Sequence, residues 1–303
     1  MEQQSLSPFG RVEWIHLDEV DSTNTFLSAY VRADASCRCV VADADYQTGG
    51  RGQRGNRWES QRGANLLFTV ALYDVPVAPT EQFLLSQLVS LVTLRVLRSV
   101  LPADADRFRI KWPNDIYFDD RKVGGILIEH QLSPSHILRT IVGVGLNVNQ
   151  RQFVSDAPNP VSLCQIAHHD FARRPLLEQW VALLTEGMAA FDDSSRAAEK
   201  NSRAEKKNSR EKKLNSRAVA GKSRAISDDS RAVSDGSREA FISVLVDDYH
   251  QALFRRDVPA RYRDADGLFT ATLRRVEPDG RLCLERPDGT VSRYAFKEVS
   301  FII

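Results

Sequence analysis

Seven Ser-Arg dipeptides recur at an interval of seven residues, at 195–196, 202–203, 209–210, 216–217, 223–224, 230–231 and 237–238. This run limits what the whole chain can fold into, because residues 194–238 offer almost nothing a core could bury. A heptad period invites a coiled coil, which needs apolar side chains at two positions of every repeat. Here the residue after each Arg is at best alanine, and Val219, Ile226 and Val233 add only a thin second stripe. No seam follows from that. The segment also holds thirteen Lys/Arg against six Asp/Glu, a net +7, which leaves −6 on the remainder of a chain whose total is +1. It reads as a solvated, largely disordered insertion with a helical start, grown by repeat expansion. An acidic partner for it is the sharper alternative. The fold must therefore be built from the flanking sequence.

That sequence reads as mixed α/β. A first strand is expected in RVEWIHLDEV from about residue 11, then a helix from Ser22 to about Arg32 and an alternating strand over 37–45. ANLLFTVALY (64–73) is another strand, and Thr80 to Leu101 has helical spacing at Phe83, Leu84, Leu88, Leu91 and Leu94. FRIKW, DIYF and GGILIEHQL are short strands, the last two separated by the turn at Asp119-Asp120-Arg121, and HILRTIVGVGLNVN is a further strand. Helices are expected over Pro175–Phe191 and Glu239–Phe254, with the repeat between them. After Pro259, Asp-Gly turns at 264–267, 278–280 and 287–289 punctuate short strands, giving a small barrel or sandwich of about 45 residues. The division is thus 1–258, interrupted by 194–238, followed by 259–303. No run of eighteen apolar residues is present, so no membrane span is expected. The N-terminus lacks a secretory pattern, so the cytoplasm is the expected compartment. Cys37, Cys39, Cys164 and Cys283 lack zinc-ligand spacing and read as reduced structural thiols, with the Cys37/Cys39 pair on one strand face.

Two short segments carry chemistry. GRGQRG at 50–55 fits G-x-G-x-x-G, but no apolar-periodic helix follows it, as a dinucleotide site requires. Nor does the chain hold the catalytic loop of a protein kinase. What remains is a loop whose glycines let backbone approach a ligand, whose Arg51, Arg54 and Arg57 offer forked donors to phosphate or carboxylate, and whose Trp58 offers a flat face. Such a loop suits closure over a nucleotide; a solvated surface loop is the plainer reading. KWPND at 111–115 sets Lys111, an aromatic, a rigid turn, Asn114 and Asp115 in five residues. Pro113 forces Trp112 toward extended geometry, so the polar pair can project into a site. Asp115 suits magnesium beside substrate phosphates. Lys122 precedes Gly124-Gly125, where backbone can again approach a ligand. His168-His169 reads as a surface helix end rather than a base.

Taken in order, DSTN (21–24), QTGGRGQRGNRW (47–58), KWPND (111–115), KVGGILIE (122–129) and GVGLNVN (143–149) resemble the biotin protein ligases. The resemblance covers 12–193 and 239–303. It implies an α/β fold of α+β type, a mixed sheet flanked by helices in a class II synthetase-like core, with a small SH3-like C-terminal barrel. It implies that Ser22, Thr23, Asn24 and Gln47 bind biotin, that Arg51, Gly52 and Gln53 belong to the loop over biotin and its adenylate, and that Lys122 meets the biotin carboxylate and α-phosphate. On the nucleotide side it implies Arg54, Trp58, Lys111, Asn114, Asp115 and Asn147, with Asp115 as the magnesium ligand. Lys122, Arg51 and Asp115 would be catalytic.

The implied reaction uses ATP and Mg²⁺ to convert biotin to biotinyl-5'-AMP, and then a carrier lysine attacks the mixed anhydride. The implied partner is the biotin carboxyl carrier domain of a biotin-dependent carboxylase. Gln53 departs from the arginine of the enteric enzymes, which puts adenylate retention in doubt. No helix-turn-helix module precedes the first expected strand, so a monofunctional enzyme without DNA binding is expected. Whether it is a monomer or a homodimer is left open. A lipoate-type ligase shares the chemistry but not the QTGGRG…W loop, and a non-enzymatic biotin or nucleotide sensor would not need Lys122 and Asp115.

Overall fold

The computed structural model describes residues 2–52, 56–154, 159–192 and 236–303. Eight strands make one mixed sheet: β1 (Glu2–Ser7), β2 (Gly10–Leu17), β3 (Cys37–Ala44), β4 (Leu66–Val75), β5 (Phe108–Lys111), β6 (Asp115–Phe118), β7 (Arg121–Leu132) and β8 (Ile137–Leu146). Their order is β1-β2-β3-β4-β8-β7-β6-β5. The β2–β3 pair is parallel and is connected through helix α1 (Thr23–Ala29). The other neighbours pair antiparallel.

The two faces are covered unequally. One carries the main core, where α2 (Phe83–Val100), α4 (173–192) and α5 (Gly236–Gln251) contribute Leu88, Leu94, Trp180, Leu184 and Tyr249 against Val41, Phe68, Val142 and Ile116. The other carries a small cluster in which Leu27 of α1 meets Val40, Ala42, Ala71 and Ile141. Two turns of helix cover only part of a face of eight strands. α2 is apolar enough by composition to cross a membrane. It is a core helix here, with Leu85, Val89, Leu94, Val96 and Leu97 buried and the buried Thr93 hydroxyl accepting from Trp180 Nε1 at 2.9 Å.

The C-terminal β domain is a five-stranded antiparallel sheet: β9 (Pro259–Asp264), β10 (Gly267–Val276), β11 (Leu282–Glu285), β12 (Val291–Tyr294) and β13 (Ser300–Phe301), ordered β12-β11-β10-β9-β13. The three Asp-Gly turns join these strands as expected, with Gly267, Gly280 and Gly289 at φ of 120°, 86° and 85°, values open to glycine at little cost. Tyr262, Leu273 and Leu284 are continuous with the main core. Trp112 Nε1 donates to Gly280 O at 2.9 Å, tying the KWPND turn to the β10–β11 turn.

Four expectations are corrected. The first strand is β1, not the one near residue 11. EQQSLS gives no apolar pattern because it is an edge strand, with Leu6 86% exposed. α1 stops at Ala29 rather than Arg32. Cys37 and Cys39 do not share a face: β2 pairs Arg11 with Cys37 but Val12 with Cys39, so Arg38 is an extra residue. That bulge sends Cys37 toward α1 and Cys39 into the main core. Both are free and buried, as are Cys164 and Cys283. Finally, α5 begins at Gly236, so the end of the repeat enters the fold, where Arg238 meets Glu81 at 2.6 Å. The repeat before Gly236 lies outside the described residues.

Candidate active site

A cavity of about 350 Å³ opens on the α1 face of the main sheet. Its floor exists because two neighbouring strands carry glycine there. Gly125 of β7 pairs with Gly145 of β8, and Gly143 lies two residues before Gly145 on the same face. A Cβ on Gly143 would stand 1.9 Å from Asn24 Oδ1, and one on Gly145 would stand 2.5 Å from Trp58 Cε2. The glycines are thus the seats on which Asn24 and Trp58 rest.

At one end lies the DSTN turn. Ser22 is the N-cap of α1 but makes no capping hydrogen bond through its side chain, and it lines the cavity instead. Gln47 Oε1 accepts from Thr23 N at 2.8 Å and from Thr23 Oγ1 at 3.1 Å. Thr69 Oγ1 donates to Asn24 Oδ1 at 2.7 Å and lies 2.8 Å from Thr23 Oγ1. Thr23, Asn24 and Thr69 are buried, so this end is a fixed polar network.

At the other end, the β5–β6 hairpin turns through Trp112, Pro113 and Asn114, the Trp112–Pro113 peptide being cis. Lys111 and Asp115 face each other across it. Asp115 Oδ1 lies 2.7 Å from Lys122 Nζ, and both side chains are about four-fifths buried. Lys122 Nζ also lies 5.6 Å from the Trp58 ring. Lys111 Nζ sits 5.1 Å from the rings of Tyr117 and Phe301, and its burial holds its pKa below the usual lysine value. Asn114 is bound through its side chain to Ile126 O, and its own carbonyl accepts from Ile126 N at 2.9 Å.

The Gly/Arg loop arches over the sheet. Trp58 N donates to Gly50 O and Gly52 N to Asn56 O, so the loop doubles back on itself. Arg51 reaches Glu129 Oε1 at 3.1 Å. Trp58 Nε1 is buried without a hydrogen-bond partner among the described residues.

The cavity therefore gathers Ser22, Thr23, Asn24, Gln47, Arg51, Gly52, Trp58, Lys111, Asn114, Asp115 and Lys122. It does not gather Asn147, which is buried and donates to Lys122 O and Val161 O at 3.4 and 3.3 Å, where it ties β8 to the 159–161 segment. Gln53 and Arg54 lie outside the described residues. Sequence reasoning missed Gly143 and Gly145, whose alternation in GVGLNVN is the signal that would have found them. It also missed Phe296, Lys297 and Phe301, which close the cavity from the small sheet. No local signal marks those. His168 ends α3 (Leu163–Ala167) with φ of 62° and is exposed, as the sequence suggested.

Chemically, the arrangement offers cations to an anion and an aromatic face to a flat ring, beside a rigid polar pocket. None of the four cysteines lines the cavity. Asp115 is the one carboxylate lining it among the described residues, which suits a magnesium ion held chiefly by phosphate oxygens. A separate group, His16, Asp18 and Asp45, lies outside the lining.

The fold resembles that of solved biotin protein ligases. The structure of that enzyme from Aquifex aeolicus, in complex with biotin and ATP, superposes with a TM-score of 0.64 at 22% identity, covering 95% of this chain and 97% of the other. Residues 17–147 match the biotin/lipoate A/B protein ligase family. The bifunctional ligase/repressor BirA of Salmonella typhimurium is 36% identical over 143 residues, 47% of this chain and 43% of that protein. The biotin–[acetyl-CoA-carboxylase] ligase of Mycobacterium tuberculosis is 35% identical over 159 residues, 50% of this chain and 56% of that protein. The chain thus spans about half the length of the curated relatives it matches.

Proposed function

We propose that the protein activates biotin with ATP to form biotinyl-5'-AMP and transfers the biotinyl group to a lysine of a biotin carboxyl carrier domain. The observation that carries this reading is the convergence of the DSTN turn, the Gly/Arg loop and the Lys122–Asp115 pair on one cavity. In the first step a biotin carboxylate oxygen forms a bond to the α-phosphorus, and the bond to the pyrophosphate oxygen breaks. In the second, the carrier's lysine amine attacks the acyl carbon, an amide forms and AMP leaves with the electron pair of the broken C–O bond. Neither step needs a nucleophile from the enzyme.

Ser22, Thr23, Asn24 and Gln47 would hold the ureido ring in their fixed network. Lys122 and Arg51 would bring carboxylate and phosphate together and offset the charge that builds on the phosphoryl oxygens. Lys111, Trp58 and Asn114 would hold the nucleotide, and Asp115 would hold magnesium, whose charge would further neutralise the phosphates. The division of labour would follow residues 1–258, interrupted by the repeat, and 259–303.

The test is one incubation of the full chain with biotin, Mg-ATP and a carboxylase carrier domain, read by mass. The expected result is one biotinyl addition per carrier, dependent on ATP. Labelling by lipoate in place of biotin, or binding of biotin with no labelling, would overturn it.

A further inference from the structure

Four connections join the five strands of the small sheet, and three of them carry glycine where the backbone turns left-handed. The fourth does not. Between β12 and β13, Glu298 N donates to Ala295 O at 3.1 Å, and Glu298 Oε2 accepts from Ala295 N at 2.6 Å. Lys297 is the third residue of that turn and has a φ of 75°, where Gly267, Gly280 and Gly289 serve the other three. A Cβ crowds the backbone at such a φ, so the lysine is kept at a conformational cost that glycine avoids.

Among the described residues, six other non-glycine residues have positive φ, and their reasons are local. Asp74, Asp119, Asn159, His168 and Asp257 are of the types that enter this region most readily. Arg255 is held there by Ile302 O and Asp120 Oδ1, to which it donates at 3.0 and 2.9 Å. Lys297 has no such reason: it is exposed and makes no hydrogen bond or ion pair among the described residues. It is also the one member of this group that lines the cavity. Phe296 before it packs edge-on against Trp112 with ring centroids 6.2 Å apart, and Val299 beyond it is buried. The turn is therefore fixed against the KWPND end of the site.

We infer that Lys297 is a binding residue for the β- and γ-phosphates of ATP, supplied by the small sheet at the mouth of the cavity. This rests on the proposed adenylate chemistry. That chemistry gives the α-phosphate to Lys122, whose side chain is about four-fifths buried and whose charge is shared with Asp115 at 2.7 Å. The pyrophosphate tail needs a cation of its own, and it must leave for solvent once its bond to the α-phosphorus has broken. An exposed lysine meets both demands. It acts as a point charge on a flexible stem, and its hold on a freed anion is weakened by water and salt.

The experiment measures biotin-dependent exchange of pyrophosphate into ATP by the full chain, in wild type, Lys297→Gly and Lys297→Arg, with Tm recorded for each. Glycine suits the turn, so the Tm of Lys297→Gly should equal or exceed that of wild type. Its KM for ATP and for pyrophosphate should rise about three- to tenfold, the range of one solvent-exposed charged contact. Its KM for biotin should not change, and Lys297→Arg, which keeps the charge, should stay near wild type for all three. Unchanged KM for ATP and pyrophosphate in Lys297→Gly would overturn the inference. So would a rise confined to KM for the carrier domain in the transfer assay, which would assign the lysine to carrier docking. A Tm several degrees below wild type in Lys297→Gly would also overturn it, because the side chain would then serve the turn. If wild type shows no biotin-dependent exchange at all, the functional reading beneath it fails instead, and the two failures are distinguishable.

Discussion

Lys122 Nζ and Asp115 Oδ1 are 2.7 Å apart at the junction of β6 and β7, so the cation assigned to the reacting phosphate is held by the carboxylate assigned to magnesium. The pair is preorganised by strand register: Asp115 faces Gly125, and a shift between Ile116 and Tyr117 brings Lys122 around to it. Lys122→Ala should lower the rate of adenylate formation by roughly 10²-fold or more, the usual cost of losing a preorganised electrostatic contact. Pyrophosphate exchange reads that step without the carrier. Full retained exchange would remove Lys122 from the reaction.

Gly143→Ala and Gly145→Ala should separate the two halves of the cavity. The first pushes Asn24 off its seat and should raise KM for biotin. The second pushes Trp58 and should raise KM for ATP. Displacements near 1 Å cost roughly 10- to 100-fold in such sites. Steady-state kinetics with each substrate varied in turn would show the split; equal effects on both would mean the floor acts only as scaffold.

Excising 194–235 and bridging the gap with a short Gly-Ser linker should leave adenylation and Tm nearly unchanged. Extending the excision through Arg238 removes its pair with Glu81 and should lower Tm by ~1–2 °C, on the basis of about 0.5 kcal/mol for a partly exposed pair. Calorimetry on both deletions distinguishes a tolerated insertion from one the fold needs.

Acid should loosen the joint between α5 and the small sheet. His250 Nε2 lies 3.0 Å from Val276 O and 3.1 Å from Val276 N, and burial is the main reason its pKa lies below the usual histidine value. His130 on β7 is lowered by burial as well. The unfolded chain therefore binds protons more readily than the folded one. Stability is full above the ordinary value of 6.5 and is lost as pH falls from there toward the folded values. Tm should drop between pH 7.5 and 5.5, with a smaller drop in His250→Asn. An identical slope in that variant would assign the effect elsewhere.

Features that depend on local chemistry were legible in the sequence. The turns at Gly267, Gly280 and Gly289 need nothing beyond their own residues, and α2 announces itself by period. Ser22 to Asn24, Gln47, Lys111, Asp115 and Lys122 were each visible, though only their order along the chain made sense of them. What was hidden depends on partners. The Arg38 bulge exists only against β2, so the faces of Cys37 and Cys39 could not be read from C-x-C. Asn147 was placed on the nucleotide side by resemblance alone, and its side chain binds the backbone carbonyls of Lys122 and Val161. Phe301 reaches the cavity from a strand nearly two hundred residues beyond Lys111, a distance no spacing rule spans.

α2 also bears on how the protein is made. Its eighteen residues are synthesised before β5 to β8, the strands that complete its binding face. Until those strands pack against it, α2 is an 18-residue segment apolar enough by composition to cross a membrane. Gln87, Ser90 and Thr93, buried in the finished protein, lower the affinity of that transient stretch for lipid. Replacing them with leucine would then show itself as a fault of delivery, with newly made chains diverted to membranes or proteases before folding has a chance to begin.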